Sequence, residues 1–151
     1  MNPLDFAALA VTDVTHAMQL ALGPVFLLNG VGVLLSMLTA RLARIIDRAR
    51  TLEKSLHAAT ENERQEITRV LAFTSRRARL VNRAITLGTV AALLVALVVA
   101  LLFAAAFVTF PTAPMIAVLF VTCMGTLVGS LLCFLIEVRM ATAALRFGPQ
   151  V

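Results

Sequence analysis

A chain of 151 residues that is 60% hydrophobic and only 14% charged, with a mean hydropathy of +0.95, is not composed like a soluble domain. Such domains run at about half apolar and a quarter charged. The formal net charge of +5 points to an anionic lipid surface and not to nucleic acid, because the arginines lack the interleaved aromatic pattern that stacks bases.

The first segment, residues 1–16, reads as external and amphipathic. Asn2-Pro3 has the form of an N-cap followed by Pro at the first helical position, and Asp5 suits the first turn. A short surface helix is expected through Val11, with Thr12-Asp13 recapping the chain. Asp13 and His16 share a helix face, either as an ion-sensing pair at an outer mouth or as a cap beside an interfacial histidine.

Residues 17–40 carry no charge and are long enough to cross a bilayer, which takes roughly 20 apolar residues. The run reads as a mature helix in preference to a signal peptide, because Asp5 and Asp13 precede it without any Lys or Arg and a dense basic block follows it at once. Pro24 removes a backbone bond inside the span. Asn29 is costly in lipid and should face protein or water. Asn29, Val33, Ser36, Ala40, Arg44 and Asp47 fall on one helical stripe. That stripe either lines a water-filled path or hydrogen-bonds to a neighbouring helix.

Residues 41–83 form the charged segment and hold eleven of the thirteen basic residues. In Arg41–Arg50, Leu42, Ile45, Ile46 and Ala49 fill one arc and the charges fill the other. Leu42, Ile45, Ala49, Leu52, Leu56 and Ala59 repeat at spacings of three and four, as do Ile67, Leu71, Thr74, Ala78, Val81 and Ile85. Two such seams separated by the capping box Thr60-Glu61-Asn62-Glu63 predict an antiparallel helical hairpin. Val70, Phe73 and Leu80 exceed what one seam needs, which suggests a contact with another subunit. Because Lys- and Arg-rich loops stay inside, the hairpin is placed in the cytoplasm and the N-terminus outside.

The second span is expected over residues 84–110, an external turn over 111–114, the third span over 115–138 and a cytoplasmic tail over 139–151. Gly88, Ala92, Ala96, Ala100 and Ala104 form a small-residue ridge for close helix packing, with Gly125 and Gly129 as its counterpart. Thr122, Thr126, Ser130, Cys133 and Glu137 make a polar stripe that should face inward. Glu137 lies within reach of Arg41, Arg83 or Arg139, as a structural ion pair or, alternatively, a gate. Cys123 and Cys133 are about 15 Å apart along a helix, too far for a disulfide.

The block Leu42-Ala43-Arg44-Ile45-Ile46-Asp47-Arg48 after the first span resembles the mark of an uncharacterised family of small, three-span bacterial inner-membrane proteins. The resemblance implies the fold and the bacterial inner membrane, and implies no activity.

No phosphate loop, dinucleotide fingerprint, CxxC pair or zinc-protease motif is present in the sequence. His16 and His57 are expected on opposite sides of the membrane. The reading is therefore not an enzyme, with no catalytic, cofactor-binding or metal residues. It is an all-α integral membrane protein, a homo-oligomer whose first helix lines an ion channel or permeation pathway. The lining residues are Asp13, Asn29, Ser36, Arg44 and Asp47, with Asp47, Arg48 and Glu137 in structural ion pairs. The alternative is a non-conducting scaffold that docks a partner through its hairpin. Self, anionic lipid at the cytoplasmic face and no nucleic acid are the expected partners.

Overall fold

The computed structural model describes the backbone of residues 3–56, 59–105 and 113–146, and the side chains of 14–56, 59–105 and 113–142. The described chain is helical almost throughout: α1 spans Pro3–Leu56, α2 Glu61–Ala105 and α3 Ala113–Arg146. All three are long and apolar enough to cross a membrane. The protein is an all-α membrane protein with three transmembrane helices. In lipid this is what backbone chemistry demands, since a helix pairs its own N–H and C=O groups where no water can.

Two boundaries differ from expectation. α1 does not stop and recap at Thr12-Asp13 but runs unbroken from Pro3, and it continues through Pro24. An uninterrupted helix keeps the amides of that region paired as it approaches lipid, which outweighs a local cap signal. α3 begins at Ala113, with Pro114 in its first turn, where a missing N–H costs nothing. Pro111 and Thr112 of the expected turn, the Asn2 cap and the tail beyond Arg146 lie outside the described residues.

The contacts divide into two units. In the unit made of Leu34–Leu87 and Val128–Val151, Leu38, Ile45, Val81 and Ala84 form a buried core. Leu34, Leu42, Ala78, Ile85, Cys133 and Phe134 pack around it. Every position of the two 3–4 seams is buried or half-buried, while Arg44, Asp47, Arg48, Arg69, Arg76 and Arg79 are exposed. In the unit made of Met1–Val33 and Gly88–Leu127, Ala91, Val95 and Cys123 are buried against Leu27, Leu28, Leu94, Met124 and Leu127.

The outside of both units is oily. Phe26 is 73% exposed and Val121 70%. In water such a surface is an aggregation hazard; against acyl chains it is the ordinary exterior. Hydroxyls on these surfaces bond their own helix: Thr39 donates to Leu35 C=O, Thr86 to Asn82 C=O and Thr122 to Val118 C=O.

Each unit has a buried polar contact between α2 and α3. Within the second-named unit the buried Cys123 Sγ donates to Ala91 C=O at 3.4 Å. Within the first-named, the buried Ser130 Oγ donates to Ala84 C=O at 2.7 Å. Replacing Ser130 with alanine removes a buried interhelical bond and should lower stability by about 1 kcal/mol in a mixed-micelle unfolding titration.

At the start of α2, the Glu63 carboxylate accepts from both Thr60 N–H at 2.8 Å and Thr60 Oγ1 at 2.7 Å. Thr60 C=O accepts the amide of Arg64 at 2.9 Å. Half of the expected capping box is formed, since the Thr60 hydroxyl turns to the Glu63 side chain. The Thr60 amide first, and its hydroxyl second, hold the Glu63 carboxyl below the usual carboxylate range. A lowered pKa marks the ionised form as the one stabilised by folding. The start of α2 should therefore be firm within and above that usual range and loosen as pH falls below it, through the lowered value. Amide exchange at residues 60–64, corrected for intrinsic rates, should show this dependence in the wild type and lose it in Glu63→Gln.

Candidate functional site

The most distinctive chemistry among the described residues is a charge cluster that takes one member from each helix. Glu137 of α3 is fully buried. Arg41 Nη1 of α1 donates to its Oε2 at 3.0 Å. Arg77 of α2 donates to its Oε1 twice, from Nη2 at 2.6 Å and from Nε at 3.2 Å. Both carboxylate oxygens are thus held by a guanidinium, which is what lets a carboxylate sit in a helix interface at all. The two arginine side chains remain 30% and 24% exposed. The Arg41 guanidinium lies over the Phe134 ring, 5.2 Å from its centroid, adding a cation–π contact.

The position of the cluster follows from the sequence. Arg41 is the first charge after the uncharged residues 17–40, and Glu137 the first after the uncharged residues 84–136. Both mark the end of an oily segment. Arg77 follows from packing register: it lies seven residues before Ala84, just as Glu137 lies seven after Ser130.

Sequence reasoning named Arg41, Arg83 and Arg139 around Glu137 and passed over Arg77. The signal was available. Val81, Ala84, Gly88, Ala91, Val95 and Val98 repeat at three and four and are all buried. Extending that repeat by one heptad from Ala84 lands on Arg77. Arg83 and Arg139 are exposed, off this seam. Asp47 and Arg48 are exposed and make no ion pair among the described residues; the Asp47 backbone carbonyl accepts from Thr51 Oγ1.

The small-residue positions divide. Gly88 is buried and Ala92 half-buried, but Ala96 and Ala100 are exposed. A ridge stepping by four drifts about 40° per step around a helix, whereas the packed face alternates three and four. A Cβ at Gly129 would come within 3.4 Å of Leu87 Cδ1, while Gly125 opens onto space.

Asn29, Ser36, Arg44 and Asp47 are all exposed. Along α1, Asn29, Ser36 and Asp47 lie roughly half a turn from Val31, Leu38 and Ile45 respectively, which are buried, and Arg44 lies about 100° from Ile45. Among the described residues neither the Asn29 amide nor the Ser36 hydroxyl makes a hydrogen bond within the chain, unlike the self-bonded threonines. Asp13 belongs to α1, and its side chain lies outside the described residues. No group of three potential metal ligands occurs among the described residues.

No curated protein and no solved structure shows significant similarity to the chain. Residues 21–147 match the family described as "Protein of unknown function (DUF2721)", a span that takes in the Arg41–Arg77–Glu137 cluster and most of all three helices, and the chain belongs to that family.

Proposed function

We propose that the chain assembles with copies of itself and that the outward face of α1 lines a permeation pathway for small ions. Asn29 carries this reading. It sits within an uncharged apolar run, exposed and without a hydrogen bond among the described residues. A side-chain amide facing hydrocarbon leaves its donors and acceptor unsatisfied. A second copy or a column of water would satisfy it. Ser36, Arg44 and Asp47 continue the same face toward the charged segment. One chain with three spans is too small to enclose a path, so assembly around an axis is required.

In this reading Arg41–Arg83 form a cytoplasmic antiparallel hairpin, the N-terminus is outside and the C-terminus inside, as the distribution of basic residues favours. The membrane is then the bacterial plasma membrane. The protein performs no catalysis.

A scaffold role is the second reading. Val70 and Phe73, 37% and 38% exposed, give the hairpin an apolar surface that a partner could cover.

Two measurements separate them. The detergent-solubilised particle should weigh as a multimer of the 16.2 kDa chain, and proteoliposomes should pass ions. Asn29→Leu should lower that flux while leaving the particle mass unchanged. A monomeric particle rules out the pathway; a multimer that passes nothing supports the scaffold.

A further inference from the structure

The Arg41–Arg77–Glu137 cluster has one negative and two positive charges. One positive charge is therefore left in a place only a quarter to a third open to solvent. Glu137 uses Nη1 of Arg41, and Nε and Nη2 of Arg77. Nε and Nη2 of Arg41 and Nη1 of Arg77 make no hydrogen bond to the described residues. A guanidinium offers its donors in a planar fork that matches phosphate oxygens. Here two forks are braced by the same buried carboxylate, and one is also held against Phe134. Their orientation is thus fixed before any anion arrives, which reduces the cost of ordering them on binding.

The location selects the kind of anion. Arg41 and Glu137 each end an uncharged apolar run, so the cluster lies where oily segments meet charged ones. Leu135 and Ile136, immediately before Glu137, are about half exposed and call for acyl chains. A ligand with phosphate at the boundary and hydrocarbon below it meets both demands. Basic pockets between membrane helices take lipid headgroups on this principle.

We propose that Arg41 and Arg77, braced and half neutralised by Glu137, form a binding site for the phosphate of an anionic lipid headgroup. The site needs only that the helices span a bilayer; it does not depend on ion permeation.

The full chain in detergent can be titrated with phosphatidylglycerol, phosphatidylcholine or water-soluble glycerol phosphate, read by native mass spectrometry and by thermal shift. Phosphatidylglycerol should be retained and should raise Tm, with phosphatidylcholine and glycerol phosphate giving neither effect. Glu137→Gln keeps the side-chain shape and adds one net positive charge, and should tighten phosphatidylglycerol binding roughly fivefold. Arg41→Gln should weaken it by a similar factor. Lys54→Gln removes the same charge from the exposed end of α1 and should leave binding unchanged. Equal response to the two lipids overturns the proposal. So does a response to glycerol phosphate matching that to the lipid, which would mean a free-anion site. A Lys54→Gln loss as large as that of Arg41→Gln overturns it as well, since diffuse surface charge would then suffice. Should Arg41→Gln fail to fold, the lipid comparison in the wild type and the Glu137→Gln shift still decide.

Discussion

Arg77→Met should destabilise the fold by about 3 kcal/mol. The mutation removes two of the three hydrogen bonds to Glu137, including the 2.6 Å contact, and leaves a fully buried carboxylate with Arg41 alone. Removing one partner of a buried pair typically costs 3–5 kcal/mol, because the survivor stays desolvated. The lower end applies here, as Arg41 still neutralises one oxygen. Arg41→Met should cost less, since it gives up one 3.0 Å bond and leaves the forked Arg77 contact intact. Equilibrium unfolding in mixed micelles measures both. The informative variant is Arg77→Met combined with Glu137→Leu. If the loss comes from an uncompensated charge, the pair should recover most of the stability. If Arg77 matters through packing, the double variant will be no better than the single.

Leu38→Ala should cost about 2 kcal/mol. Leu38 is fully buried among Ile45, Val81 and Ala84. In water-soluble cores such truncations cost 2–5 kcal/mol, combining lost transfer energy with a cavity. A side chain released from this core remains in an apolar medium, so the transfer part largely drops out and the cavity part stays. Val33→Ala is the control. Val33 is 67% exposed, and truncating it opens no cavity inside the chain. The same titration should show a change below about 0.5 kcal/mol for it.

Much of this fold is written in the sequence in plain terms. Uncharged runs longer than a bilayer requires, interrupted once by a block of arginines, leave little choice but three crossing helices. The positions that are buried in the charged segment are those with 3–4 apolar spacing, because that period places them on one helix face whatever they pack against. What resisted was relative register. Whether α3 offers Glu137 to Arg77 or to Arg83 depends on how two helices slide against each other, and that is fixed by side chains on both. Ser130 meeting Ala84, and Gly129 closing on Leu87, set that register. For the same reason the small-residue ridge at Gly88, Ala92, Ala96 and Ala100 reads well as a spacing of four, while the burial follows Ala84, Gly88, Ala91 and Val95. Asn29 was legible as a polar residue in an apolar run. That it makes no hydrogen bond among the described residues was not, since this depends on where the other two helices lie.

The tripartite cluster also bears on biogenesis. Ribosomes deliver the chain in order, so both arginines emerge well before the carboxylate that joins them. Until α3 enters the bilayer, Arg41 and Arg77 lack the buried carboxylate that brings them together. α3 thus supplies the clasp, and a nascent chain stalled before Glu137 should be a loose, protease-sensitive substrate for membrane quality control.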